Sequence, residues 1–229
     1  MSIAINFEDR VTLPAEVDSF DSFRRGTWSP EFPGSGRIDW VDGQIEIDLQ
    51  PENLFFHNCP RGEVAGQFFN AVRRGRRGRV FSAGARYCSP VADLSCEPDL
   101  TFVLGETMDS GAITLTPTAD QSDDSFIEIG GPVDVVVEIV SDSSVTKDLV
   151  RLPKAYFAAG VAEMWTLDAR GDRGDFVIRT RGESAYVPAK VGDEGYQWSD
   201  VFGRAFRLEK FSQTDGHPDY VLHARPPID

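Results

Sequence analysis

Two carboxylates stand where their neighbours disfavour them. Asp99 follows Pro98 at the start of the strand-like run "EPDLTFV", and Glu138 lies in the middle of "PVDVVVEIVS", which reads as a strand buried on both faces. A carboxylate there costs several kcal/mol, roughly, unless it is paired, protonated or bound to a cation. If the two strands are neighbours, both side chains converge on one point, and their repulsion calls for a proton on one of them or a cation between them. Oxygen-only ligands with no Cys or His cluster favour Mg2+ or Mn2+ over Zn2+. The structural alternatives are a turn-capping role for Asp99 and a buried ion pair with Arg or Lys for Glu138.

The elements that must position these groups follow from periodicity. A short helix is expected around 17–25. The stretch "GRIDWVDGQIEIDLQP" alternates, with Asp42–Gly43 at the bend, and predicts a β-hairpin whose Ile45, Ile47 and Leu49 share a face. Val64, Phe68, Phe69 and Val72 recur at helical spacing up to Gly75. Strands are expected in "GRVFSAGARYCS", "PDLTFVLG" and "VDVVVEIVS", and residues 105–131 allow a further hairpin. A helix capped by Ser143 or Ser144 runs to about Ala159 with a kink at Pro153, ends at Gly160 and leads into the strand "VAEMWTLD". That order predicts a crossover joining two parallel strands. Later strands or loops are read in "DFVIRTR", "AYVPAKV" and "VFGRAFRL", and a frayed tail in "HARPPID".

Three stretches together resemble the bacterial putative restriction endonuclease family, a branch of the PD-(D/E)xK nuclease superfamily. They are "EPDLTFV", "GGPVDVVVEIVSDSSVTKD" and "AYFAAGVAEMWTLDARG". The matching positions are Pro98–Asp99, Glu138 to Ser141, Tyr156 to Val161, Glu163 to Trp165 and Asp168. The hairpin adds Asp39, Asp42–Gly43 and His57. The resemblance covers about residues 35–180. It implies a restriction-endonuclease-like α/β core, a central mixed sheet flanked by helices, within a single domain over 1–229; residues 1–34 and 181–229 are then peripheral. It implies that Asp99 and Glu138 hold a metal ion, Mg2+ or Mn2+, and that a lysine orients the attacking water. The superfamily's usual lysine position is Val140 here, and the position in the following helix, four residues after Asp148 and four before Tyr156, is Leu152. Lys147, Arg151 and Lys154 are the basic residues that could substitute, and Lys147 is the first choice. Asp39, His57 and Asp148 are candidate accessory groups. Dimerisation rests on the same analogy.

The formal net charge of −14 argues against general affinity for nucleic acid or anionic membranes. Against that background "RRGRRGR" is a local footprint for nucleic acid through Arg73, Arg74, Arg76, Arg77 and Arg79, flanked by Arg61 and Arg86. It serves equally well as helix C-terminal chemistry. Cys59, Cys88 and Cys96 have no CxxC spacing, which points to a reducing cytoplasm, and no apolar run is long enough to span a membrane. The sequence therefore reads as a Mg2+-dependent endonuclease acting on DNA. The alternatives are an inactive nucleic-acid-binding protein on the same scaffold, or a structural or interaction domain.

Overall fold

A computed structural model describes residues 17–34, 36–73, 75, 78–82, 84–118, 125–172 and 174–226. Helix α1 (Phe20–Thr27) precedes the hairpin β1 (Arg37–Val41) and β2 (Gln44–Asp48), and α2 (Cys59–Arg73) follows. Then come β3 (Gly78–Ser82), β4 (Arg86–Ser89), β5 (Leu94–Cys96), β6 (Leu100–Leu104), α3 (Gly105–Asp109), β7 (Thr114–Pro117), β8 (Phe126–Gly130) and β9 (Val135–Ile139). Helix α4 (Leu152–Ala158) leads to β10 (Glu163–Asp168), β11 (Asp175–Arg181), β12 (Tyr186–Pro188), β13 (Gln197–Ser199), β14 (Arg204–Ser212) and β15 (Pro218–Arg225).

The fold is mixed α/β, as the sequence implies, but its strands divide between two six-stranded sheets. One has the order β2-β1-β5-β4-β8-β7, the other β12-β11-β10-β9-β6-β3, and a three-stranded sheet β13-β14-β15 stands beside them. Within the second sheet β9 and β10 are parallel and joined through α4, the expected crossover. Pro153 sits in the first turn of α4, where its missing donor costs least, and a wider π-helical turn over Lys147–Arg151 precedes it. The kink expected at Pro153 thus takes the form of a change in helix type. Gly160, at φ 88°, ends the helix. At the first hairpin Asp42 and Gly43 have φ of 51° and 73°, as a type I′ bend needs.

Two apolar layers explain why β9 is so uniformly hydrophobic. Val135, Val137 and Ile139 pack in a cluster with Val64 and Phe68 of α2 and with Phe202, Phe206 and Leu222 from the C-terminal strands. Val136 points the other way, into a cluster shared with Tyr87, Leu94 and Cys96 of the first sheet and Leu152 and Tyr156 of α4. The strand is covered on both faces, so its residues are apolar on either side except Glu138, which shares the face of Val136. Two readings change. Ile47 and Leu49, expected on the hairpin's apolar face, are 48% and 56% exposed, Ile47 in the edge strand β2 and Leu49 just past its end. The expected frayed tail is instead ordered through Arg225, paired along β14.

Glu163 anchors the three-stranded sheet. It is 2% exposed in β10 and accepts bonds from the Ser199 hydroxyl (2.7 Å), the Val201 N–H (3.0 Å) and the Trp165 indole N–H (2.9 Å). Glu163→Ala leaves three buried donors unanswered, and urea unfolding should show a loss of about 2–4 kcal/mol; a loss below about 0.5 kcal/mol would contradict this anchoring role.

Candidate active site

Alternation fixes where the two carboxylates point. Strand β6 pairs antiparallel with β9, with Leu100 opposite Val137, so one further step sets Asp99 across from Glu138. Glu138 shares the face of Val136, and Asp99 that of Val103, which both enter the layer between the six-stranded sheets. Asp99 is 0% and Glu138 2% exposed. The chain crosses from the first sheet to the second between Cys96 and Leu100, so Asp99 stands at the junction. Its Oδ2 accepts the Ile139 N–H at 2.7 Å and its Oδ1 the Arg37 guanidinium at 2.8 Å.

Charge around the pair is unevenly shared. Burial would raise the Asp99 pKa, but the His57 imidazole, the Arg37 guanidinium and the Ile139 N–H hold it well below the usual carboxylate range. Burial, then the charges of Asp148 and Asp99, push Glu138 well above its usual range, against the pull of Lys147 and Arg37. Tyr156, fully buried in α4, donates its hydroxyl to Glu138 Oε1, and Cys96 Sγ lies 3.3 Å from that hydroxyl.

Lys147 enters the same layer. Its Nζ donates to Asp39 Oδ2 at 3.0 Å, and Asp39 Oδ1 accepts the Glu97 N–H at 3.1 Å. Asp39 and Lys147 are 1% and 7% exposed. Burial works against the ammonium charge, but Asp39, Asp148 and Glu138 outweigh it and hold Lys147 above the ordinary lysine range. Burial pushes Asp148 up to about 6 against the pull of Lys147 and the Ser144 hydroxyl; its Oδ1 is buried with no hydrogen-bond partner. The other basic candidates lie elsewhere. Arg151 pairs with Glu46 and the Val41 carbonyl, and Lys154 is exposed on α4.

A cleft of about 520 Å³ is lined by Arg37, Glu52, His57, Ser141 and Arg170, among others, and reaches Asp99 through Arg37 and His57. His57 Nε2 is 3.4 Å from Asp99 Oδ1 and its Nδ1 is 3.7 Å from Glu52 Oε2. The π-helical turn Leu54–Asn58 that carries His57 is capped by the Asn53 side chain, which accepts the Phe55 and Phe56 N–H groups. Sequence reasoning passed over Arg37, although it lies two residues before Asp39 on the same strand face, a signal that was available. It also passed over Glu52, a loop residue with no periodic signal.

The described arginines of the run, Arg73 and Arg79, are not brought to this centre. Gly78 pairs with Leu104 and Ser82 with Leu100, so the run's end of β3 lies at the far end of β6 from Asp99, about 17 Å along a five-residue strand. Arg73 and Arg79 are exposed, while Arg74, Arg76 and Arg77 fall outside the described residues. Arg86, expected to flank a basic patch, is instead 6% exposed and bonded to Glu97 at 2.6 Å.

An acidic strand followed by a helical crossover, with a second carboxylate opening the neighbouring strand, defines a restriction-endonuclease-like α/β fold. The chain belongs to the Uma2 family, described as putative restriction endonuclease, whose sequence model matches residues 23–209. In fold it is similar to a putative nuclease belonging to DUF820 from Anabaena variabilis ATCC 29413. The TM-score is 0.55 at 14% identity, covering 80% of this chain and 90% of that one. No curated protein matches the chain.

The Asp39–Lys147 pair is testable apart from any reaction. Lys147→Met strands a buried carboxylate and should cost about 3–5 kcal/mol in urea unfolding, and adding Asp39→Asn should recover part of that loss. Strictly additive losses would show that the two charges do not depend on each other.

Proposed function

We propose that this chain is a metal-dependent nuclease that hydrolyses DNA phosphodiester bonds, with Asp99 and Glu138 as ligands of Mg2+ or Mn2+. The observation that carries the reading is the pairing of these two carboxylates in one buried layer, with Asp99 bonded to Arg37 and close to His57, which line a cleft. The donor set fits such an ion: both carboxylates are buried, Glu138 is disfavoured as an anion by its neighbours, and the adjoining Asp148 Oδ1 has no partner. When bound, a divalent ion would polarise the scissile phosphate and lower the pKa of a water.

The chain's own residues supply the rest of the proposed machinery. The Ile139 N–H and the Tyr156 hydroxyl hold the two carboxylates in place. Lys147, already counted as the substitute for the missing lysine, brings a permanent positive charge to offset charge developing on the phosphate. Arg37 and Arg170 line the cleft, Arg37 bonded to Asp99 and Arg170 to Asp168 and Asp142, and either guanidinium could turn to phosphate oxygens only by giving up such a pairing. Asp39 orients Lys147, and His57 and Asp148 complete the surroundings of the carboxylates. Arg151 and Lys154, which lie elsewhere, are given no part in this machinery. Arg73, Arg74, Arg76, Arg77 and Arg79 would contact nucleic acid away from the cut. The same reading takes residues 1–229 as one domain, supported by a core that runs from Val64 to Leu222. It takes the protein as cytoplasmic and a homodimer. Among the described residues no helix is long and apolar enough to cross a membrane.

A second reading, a nucleic-acid-binding protein that does not cut, is favoured by one observation. The two positions where the family's lysine is expected hold Val140 and Leu152, each 1% exposed and packed as core. Plasmid cleavage with Mg2+ or Mn2+ separates the readings. The nuclease reading expects nicking by the wild type and a loss of at least about 100-fold in Asp99→Ala and Glu138→Ala. Cleavage that persists in both variants would sink it, and salt-dependent DNA binding without turnover would favour the second reading.

A further inference from the structure

The two oxygens of Asp99 face different surroundings. Oδ2 is taken by the Ile139 N–H beside Glu138, whereas Oδ1 looks outward to His57 and Arg37 beneath the cleft. On that outer side Glu52, His57 and Asp99 each offer a ligand atom, all within 4.8 Å of one another. His57 is 4% exposed, and its Nδ1 is buried with no hydrogen-bond partner, 3.7 Å from Glu52 Oε2. The imidazole thus turns Nε2 toward Asp99, at 3.4 Å from Oδ1, and the unpartnered Nδ1 toward Glu52, and such a buried nitrogen among carboxylates is a candidate cation ligand.

The place is already built for positive charge. Arg37 Nη2 lies 2.8 Å from Asp99 and 3.7 Å from Glu52, and Arg61 lies 2.8 Å from Glu52 and 3.8 Å from Asp99. Both arginine side chains are about one-fifth exposed, at 19% and 20%, so each has a way out toward solvent. We propose that Glu52, His57 and Asp99 form a cation site of their own on the outer side of Asp99, which takes Mn2+ or a similar transition ion in preference to Mg2+ and displaces Arg37 and Arg61. The preference follows from the imidazole: nitrogen ligands suit the first-row transition ions, whereas Mg2+ prefers oxygen alone and parts reluctantly with its waters. Freed from the carboxylates, Arg37 would stay at the cleft wall, where a phosphate could meet it.

The inference rests on the metal-dependent reading above but names different ligands, so the two can fail separately. The full-length chain is titrated with Mn2+, and the free ion is followed by electron paramagnetic resonance, with Mg2+ as competitor. The expected result is Asp99-dependent Mn2+ binding that Glu52→Gln and His57→Gln each weaken by about tenfold or more, and that Mg2+ displaces only at much higher concentration. If both variants bind Mn2+ like the wild type while Asp99→Asn and Glu138→Gln do not, the outer site is overturned and the Asp99–Glu138 reading stands. If the wild type binds no Mn2+, both fall. Glu52 lies on a loop with its side chain 35% exposed, so Glu52→Gln is expected to fold and decides the matter if His57→Gln does not.

Discussion

Everything at the candidate centre depends on one hydrogen bond, from the Ile139 N–H to Asp99 Oδ2 at 2.7 Å. It ties the end of β9 to the point where the chain leaves one six-stranded sheet for the other. Because Asp99 is held there, its second oxygen must face the cleft side, and Glu138 must stand beside it in the layer between the sheets. The remaining charges then follow as compensation. Arg37 answers Asp99, Lys147 answers Asp39, and Tyr156 gives Glu138 a donor. A buried layer with four carboxylates and two direct cations is not a stability device, since apolar packing of the same volume would do at least as well. That imbalance is the physical reason to read the layer as a site.

The acidic pair was legible because burial and charge conflict so sharply. An unbroken Val/Ile run announces a strand covered on both faces, and Glu138 inside it demands an explanation from sequence alone. The crossover was legible for a similar reason, since Pro153 and Gly160 mark the change of helix type and the end of the segment; the cap expected of Ser143 or Ser144 is not made, and the Ser144 hydroxyl bonds Asp148 instead. Other features were hidden because they depend on register and sheet order. Nothing in the alternation of Ile45, Ile47 and Leu49 says that β2 is an edge. Nothing in "RRGRRGR" says that Arg79 pairs with Val103, well along β6 from Asp99. Arg37 is the exception, because the spacing of two to Asp39 already placed both side chains on one face of β1.

The two apolar residues at the expected lysine positions now have a structural account. Leu152 is part of the layer that α4 packs against the first sheet, and Val140 is the residue after β9 whose N–H bonds the Leu167 carbonyl. Lys147 instead enters the layer from the π-helical turn before α4. The wider turn places Lys147 and Asp148 both inward, at 7% and 1% exposure, which two adjacent residues of an ordinary amphipathic helix rarely achieve.

The central claim is that the buried pair at the sheet junction holds a divalent cation. A crystal structure of the protein soaked in Mn2+, with anomalous scattering recorded at the manganese edge, tests it most directly. The expected result is an anomalous peak at about 2.0–2.3 Å from an oxygen of Asp99 and from an oxygen of Glu138. A map with Mn2+ bound only at surface carboxylates, or only on the outer side of Asp99 away from Glu138, would contradict it.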